Sequence, residues 1–316
     1  MARAFVFPGQ GAQAVGMGRD LAEAFPVARA IFDQIDEALG QPLSKLMFEG
    51  PEATLTLTEN AQPALMAASL AATRVLESEG GFTLADKGAF VAGHSLGEYS
   101  ALAAAGALDV ADAARLLRLR GQAMQQAVPV GAGAMAALMG LELEAVREVA
   151  AEASEAGVCD TANDNAPGQV VISGDVAAVE RAVELAKARG AKRAVMLSVS
   201  APFHCRLMQP AAEVMQGALA DTKVSAPTLP LVANVTASPL SDPDAIRQRL
   251  IEQVTQTVRW RESVQYMAGS GVTTLVELGQ GKVLSGLARR IDRALSATSV
   301  GTSADIESAV ATLSEA

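Results

Sequence analysis

A chain of 316 residues, 50% of them hydrophobic, is long enough for one large or two ordinary domains with a real core. Its net charge of −10 argues against general nucleic-acid binding, and its two cysteines, Cys159 and Cys205, are too few for a disulfide framework. No Cys/His cluster has zinc spacing, so we expect neither a metal nor a cofactor. No apolar run spans a membrane, and Pro8 breaks the N-terminal run too early for a signal peptide, which predicts a cytoplasmic protein.

The first third of the chain predicts alternating strands and helices. Glycine and proline pairs punctuate it, and helix-period apolar residues lie between them. The predicted elements are a strand over 3–7, a tight loop over 8–13, helices over about 17–25 and 27–39, breaks at Pro42 and Gly50-Pro51, and a polar stretch over 58–63 before a long helix ending near Ser78.

The stretch over 87–106 predicts a buried strand, a sharp turn and a helix. The turn is Gly93-His94-Ser95-Leu96-Gly97, the Gly-x-Ser-x-Gly pattern of a nucleophile elbow. Side chains at Gly93 and Gly97 would collide with the neighbouring strand or helix. Ser95 should therefore stand exposed at the carboxyl edge of a sheet. The alternative is a serine that only caps the helix.

A helix predicted from Asp109 to about Ala127 carries an arginine among apolar residues. Leu116, Arg120 and Met124 share one face at i, i+4 spacing. A buried arginine is costly unless an anion pairs with it. The anion could come from a ligand or from an internal salt bridge, and the stem could instead reach out to solvent.

Residues 130–198 predict a small inserted domain. The order β-α-β-β-α-β is that of a ferredoxin-like unit, and the large α/β domain then comprises 1–129 and 199–316. The inserted elements are strands over 134–139, 157–162, 169–173 and 192–197, helices over 142–153 and 175–188, and a polar loop over 163–168. The large domain continues with helices over 206–220, 243–256, 260–268 and 282–293 and strands near 231–233 and 274–278.

A serine nucleophile needs a base, and the chain has only two histidines. His94 adjoins Ser95, where consecutive side chains diverge, so we expect it to pack or bond locally. His204 lies in a loop just after the inserted domain, where it can project into a cleft between domains. Elimination therefore favours His204, against the alternative of a solvated loop histidine.

Several separated motifs together resemble the acyltransferases of fatty-acid and polyketide synthesis. They cover essentially the whole chain and stand in that family's order: 7–11 (Phe-Pro-Gly-Gln-Gly), 93–98 (Gly-His-Ser-Leu-Gly-Glu), Arg120-Gly121, 163–174 and Ala201-Pro202-Phe203-His204. The resemblance implies a large domain like the α/β hydrolases plus a ferredoxin-like insertion. It also implies transfer of a malonyl group from malonyl-CoA to the phosphopantetheine thiol of an acyl carrier protein.

The resemblance also implies roles for single residues. Ser95 would attack the thioester after His204 takes its proton, in a ping-pong mechanism. The backbone N–H groups of Gln10 and Leu96 would form the oxyanion hole. Arg120 would bind the malonyl carboxylate.

Two further assignments rest on the resemblance alone. Phe203 before His204 is similar to the malonyl-type pattern, and the backbone carbonyl of Gln253 would orient His204. That carbonyl stands where a carboxylate is usual in serine enzymes, so no catalytic Asp is expected.

Two other classes of function remain open. A serine esterase or thioesterase shares the elbow but uses water, although the Asp-Gly-Gly of patatin-type lipases is absent. A non-enzymatic carrier-protein scaffold would keep the fold alone.

An acidic carrier protein should be repelled by a chain of net charge −10, so docking would need a local basic patch. The candidates are Arg189, Lys192 and Arg193 on the small domain, or Lys282, Arg289, Arg290 and Arg293 on the helix predicted to be last. Either cluster could instead be an ordinary solvated face. We expect no membrane partner and a monomer.

Overall fold

The computed structural model describes residues 2–314, which form ten strands and fifteen α-helices. The strands are β1 (Ala2–Phe7), β2 (Phe90–Gly93), β3 (Gly133–Met139), β4 (Cys159–Ala166), β5 (Gln169–Asp175), β6 (Arg193–Met196), β7 (Leu231–Val232), β8 (Pro239–Leu240), β9 (Val272–Leu278) and β10 (Ser296–Val300). The first eight helices are α1 (Arg19–Ala24), α2 (Pro26–Leu39), α3 (Leu43–Glu49), α4 (Glu52–Leu55), α5 (Thr58–Gly80), α6 (Leu84–Lys87), α7 (Gly97–Ala104) and α8 (Val110–Gln126). The others are α9 (Leu143–Ala153), α10 (Val176–Ala188), α11 (Gln209–Asp221), α12 (Pro243–Gln253), α13 (Trp260–Gly269), α14 (Val283–Ile291) and α15 (Ser303–Ser314), and 3₁₀ turns cover Ser154–Ala156 and Arg206–Met208.

The larger sheet has the strand order β10-β9-β1-β2-β7-β8 and is parallel except for β8. Helices bury both of its faces, as parallel sheets require. In β1, Phe5 and Phe7 pack into one core and Ala4 and Val6 into the other, because successive side chains point to opposite faces. The predicted α/β fold with a parallel sheet is confirmed. β1 and β2 lie at its centre, so the loops at their carboxyl ends meet.

The smaller sheet is antiparallel with the order β4-β5-β3-β6. This is the order of a ferredoxin-like unit, and the Ala, Val and Leu side chains of α9 and α10 fill a separate core against the sheet. The predicted ferredoxin-like unit is therefore confirmed. The domain boundaries at 130 and 198 stay a prediction.

The predicted polar loop over 163–168 is wrong for its first four residues, because β4 runs on to Ala166. A segment far along the chain pairs with it: the Asp164 N–H donates to the Val258 carbonyl at 2.9 Å, and the Val258 N–H donates to Ala162 at 2.9 Å. The buried Asp164 carboxylate pairs with Arg261 at 2.8 Å. Pairing with β5 and burial against this distant segment thus make a polar sequence a strand, and the bridge joins the smaller sheet to the segment before α13.

Three further differences concern helix and strand bounds. The long helix α5 begins at Thr58 rather than after Pro63, which lies in its second turn and removes one backbone hydrogen bond there. The short elements α3, α4 and β8 have no predicted counterpart. Neither have β10 and α15, so α14 is not the last helix. Within residues 2–314, no helix is both long and apolar enough to cross a membrane.

Candidate active site

The elbow holds Ser95 in a strained conformation between β2 and α7. Ser95 has φ 53°, a left-handed backbone value that residues other than glycine rarely adopt. A Cβ on Gly93 would lie 1.9 Å from the carbonyl of Gly97, and one on Gly97 would lie 2.2 Å from the Phe7 oxygen. Strand, turn and helix therefore pack together only because both positions lack a side chain. The serine is left at the carboxyl edge of the sheet.

His204 contacts Ser95 although the two residues are 109 positions apart in the sequence. Its Nε2 lies 2.8 Å from Ser95 Oγ, and its Nδ1 lies 2.8 Å from the backbone oxygen of Gln253. Nδ1–H must donate to that carbonyl, so Nε2 is free to accept the serine proton. Burial, reinforced by the charge of Arg120, lowers the pKa of His204 to about 3. The imidazole is therefore neutral at pH 7, as a general base must be.

His94 does not face the nucleophile. Its Nε2 lies 2.8 Å from Asn165 Oδ1, on β4, and its ring centroid lies 5.8 Å from that of Trp260. Burial lowers its pKa, so it too is neutral. His94 thus connects the elbow to the smaller sheet and leaves His204 as the base within reach of Ser95.

Arg120 is only 1% exposed and lies directly beside the nucleophile. Its Nη2 donates to Ser95 Oγ at 3.2 Å and to Gln253 Oε1 at 2.8 Å, and its Nη1 donates to Gln62 Oε1 at 2.8 Å. Its Nε has no hydrogen-bond partner in the described part of the chain. Among residues 2–314, no carboxylate lies within 4.0 Å of the guanidinium, so an internal salt bridge does not account for this buried charge.

The remaining predicted site residues line one cavity of about 210 Å³ with Ser95, His204 and Arg120. Gln10 and Leu96 lie on its wall, and within the described chain their backbone N–H groups donate to no protein acceptor. Phe203 forms part of the apolar wall. The residues predicted from separate motifs are therefore brought to a single place.

Three buried polar residues of the site, of which Gln62 lines the cavity, were not predicted from the sequence. Asn234 Oδ1 accepts the Ser95 N–H at 2.8 Å, and Gln62 and Glu98, each 1% exposed, bond to side chains of the site. Burial raises the pKa of Glu98 to about 7, although Arg120 and two hydrogen-bond donors lower it. Glu98 belongs to the elbow motif, but the motif by itself assigned no role to it. Nothing local in the sequence distinguishes Asn234.

An elbow serine bonded to a neutral histidine, on a parallel sheet, is typical of enzymes that carry an acyl group on serine. Comparison with known proteins agrees with this class. A family model described as "Acyl transferase domain" matches residues 4–306. The chain belongs to the acyl transferase family.

Several relatives match over nearly the whole chain. The malonyl CoA-acyl carrier protein transacylase of Bacillus subtilis (strain 168) is 48% identical over 315 residues, which are 99% of this chain and 97% of that one. The crystal structure of an acyl-carrier-protein-S-malonyltransferase from Bartonella henselae is 55% identical, with TM-score 0.97 and 99% of each chain covered. A malonyl-transacylase solved in complex with its type II polyketide-synthase acyl carrier protein is 44% identical, with TM-score 0.95, covering 99% of this chain and 100% of that one.

Proposed function

We propose that this chain is a malonyltransferase that moves a malonyl group from CoA to the phosphopantetheine thiol of an acyl carrier protein. It thereby supplies extender units for fatty-acid synthesis. The relatives' names and the full-length similarity support this reaction. The observation in the structure that carries it is Arg120, a buried cation 3.2 Å from Ser95 Oγ that forms no ion pair with an acid of the described chain. Such a cation suits an acyl group that itself ends in a carboxylate.

The first half-reaction forms the acyl-enzyme. His204 Nε2 takes the proton from Ser95 Oγ as the oxygen attacks the malonyl thioester carbon. The N–H groups of Gln10 and Leu96 stabilise the oxyanion. When the tetrahedral intermediate collapses, the carbon–sulfur bond breaks and the imidazolium gives its proton to the CoA thiolate. Malonyl-Ser95 and neutral His204 remain.

The second half-reaction runs the same steps in reverse with a different thiol. His204 takes the proton from the carrier thiol, whose sulfur attacks the ester carbon of malonyl-Ser95. Collapse breaks the ester bond and returns the proton to Ser95 Oγ. The Gln253 carbonyl lies 2.8 Å from His204 Nδ1 and orients the imidazole in both half-reactions, so the reaction needs no catalytic carboxylate.

Mass spectrometry of the intact protein tests this reaction. After brief exposure to malonyl-CoA, the wild type should gain one malonyl group and Ser95→Ala none. Adding a holo acyl carrier protein should then discharge the label onto the carrier thiol. No label on the wild type would contradict the acyl-enzyme, and free malonate in place of malonyl carrier would favour the hydrolase alternative.

Docking of the carrier is proposed on one of the two basic clusters. In the first, Arg189 is paired with Glu148 and Glu152, which leaves Lys192 and Arg193 at the start of β6, the strand that leads to Leu197 on the cavity wall. The second cluster lies on and around α14, where Arg290 bonds to Gln169 of the smaller sheet at 2.7 Å.

Charge reversal distinguishes the two clusters. Replacing Lys192 and Arg193 by Glu, or Arg289 and Arg293 by Glu, should raise the KM for the carrier at low salt and lose that effect at high salt. An unchanged KM in both variants would reject both clusters. A monomeric state and a cytoplasmic location stay predictions.

A further inference from the structure

Glu98 lies behind the nucleophile, and its carboxylate neither lines the cavity nor bonds to Ser95. Its Oε1 accepts the backbone N–H of Asn234 at 3.0 Å, and its Oε2 accepts a close hydrogen bond from Gln253 Nε2. Glu98 is almost completely buried, with 1% exposed, and within residues 2–314 it forms no ion pair. A buried carboxylate is costly, and two donors offset only part of that cost. Packing alone therefore does not explain a buried carboxylate at this position.

The two residues bonded to Glu98 hold the elbow and the cation. Asn234 clamps the elbow backbone: its Oδ1 accepts the Ser95 N–H at 2.8 Å, and its Nδ2 donates to the Gly93 carbonyl at 2.7 Å. Gln253 donates from Nε2 to the Ser95 carbonyl at 3.0 Å and accepts from Arg120 through Oε1 at 2.8 Å. Both side-chain amides thus bond to the elbow, and Gln253 also bonds to Arg120.

The carboxylate determines which way the Gln253 amide points. Glu98 is ionised above its pKa of about 7, and only the NH₂ end can then face it, because a carboxylate accepts and does not donate. The carbonyl end is then directed at Arg120, where a guanidinium requires an acceptor. In the flipped orientation, oxygen would face carboxylate and NH₂ would face guanidinium, so both contacts would be repulsive. One negative charge therefore orients the amide that positions the cation.

Resting on the proposed function, we propose that Glu98 is a positioning residue for malonyl transfer, orienting Gln253 so that Arg120 is aimed at the acyl carboxylate. It acts through Gln253 and does not touch the reacting atoms. Its effect should fall more heavily on malonyl than on acetyl transfer. Acetyl transfer uses Ser95 and His204, but it offers no carboxylate to Arg120.

Glu98→Gln is the discriminating variant because it keeps the volume and removes the charge. Its amide must place NH₂ against either the Asn234 N–H or the Gln253 NH₂, which is a donor–donor contact. The matched control is Glu277→Gln. Glu277 is also a fully buried carboxylate, and it accepts the N–H groups of Leu284 at 3.1 Å and Ser285 at 2.7 Å, away from the cavity. Both variants lose a buried charge, but only one should alter acyl transfer.

The assay is single-turnover acylation of Ser95 by malonyl-CoA and, separately, by acetyl-CoA, at a pH above 7, where Glu98 is ionised. We expect Glu98→Gln to slow malonylation about 10- to 100-fold, the range of one charged hydrogen bond, and to narrow the malonyl preference about 10-fold. Glu277→Gln should change neither value more than about twofold. Glu98→Asp, which keeps the charge, should recover part of the preference.

Two outcomes overturn the proposal. One is a malonyl preference in Glu98→Gln equal to that of the control. The other is an equal loss of malonylation and acetylation, which a merely structural role would produce. Failure of the proposed function is separable, because the wild type itself would then carry no malonyl label.

Discussion

Replacing Arg120 by Ala should abolish most of the discrimination between malonyl- and acetyl-CoA. The guanidinium has an Nε without a partner and an Nη2 3.2 Å from Ser95 Oγ, so both can face a carboxylate on the acyl group. One charged hydrogen bond is worth about 1.5–3 kcal/mol, which corresponds to about one to two decades of selectivity. The variant should therefore lose malonylation by that factor, whereas acetylation should not fall, because removing the guanidinium also removes one cause of the low pKa of His204.

Arg118→Ala is the matched control for this experiment. Arg118 lies on the same helix and is half-buried, but its Nη1 donates to Gln41 Oε1 at 3.1 Å rather than to a residue of the site. Arg120→Ala also leaves the buried Oε1 atoms of Gln62 and Gln253 without their donor, at about 1–3 kcal/mol each. Urea unfolding should accompany the kinetics for this reason. A malonyl-to-acetyl ratio in Arg120→Ala equal to that of Arg118→Ala would refute the assignment.

Two further predictions concern the elbow and the buried acid. Gly97→Ala should destabilise the fold by about 1–3 kcal/mol and abolish acylation, because its Cβ would meet the Phe7 oxygen at 2.2 Å. Gly217→Ala, in α11 with nothing within 4 Å, should stabilise by about 0.5–1 kcal/mol, and equal urea midpoints would contradict the steric argument. Burial raises the pKa of Glu98 from 4.5 to about 7, so the folded state holds a proton that the unfolded chain releases between those values. Stability should therefore fall by on the order of 3 kcal/mol as pH rises from about 4.5 to about 7, and Glu98→Gln should lack this component. The lowered pKa of His204 acts with the opposite sign, so wild type and variant are compared at each pH, and a constant difference in unfolding free energy would contradict the prediction.

The parts of the site that the sequence predicted depend on short-range pattern. Five neighbouring residues are enough to predict the elbow around Ser95. The i, i+4 spacing of apolar residues on one helix predicts that Arg120 is buried. Elimination indicated His204 because the chain has only one other histidine. The carbonyl of Gln253 was implied by resemblance alone, since a backbone atom leaves no signature of its own in a sequence.

The parts that were missed depend on contacts between distant segments. Asn234 is 139 residues from Ser95, and its role exists only where β7 ends beside the elbow. In β4, Asn163 and Asp164 have the composition of a loop, yet they pair with β5, and contacts with Val258 and Arg261 bury them. Local propensity is a weak prior, and tertiary partners override it at such positions.

The electrostatics of the site tie base strength to the identity of the substrate. Burial and the charge of Arg120 both lower the pKa of His204, and a neutral carbonyl behind Nδ1 stabilises an imidazolium less than a carboxylate would. A malonyl carboxylate bound to Arg120 neutralises the second of these causes, so the imidazolium formed during attack is less opposed than in the free enzyme. An acetyl group leaves the cation unopposed. Arg120 therefore favours malonyl twice, once by binding its carboxylate and once by allowing His204 to take the serine proton.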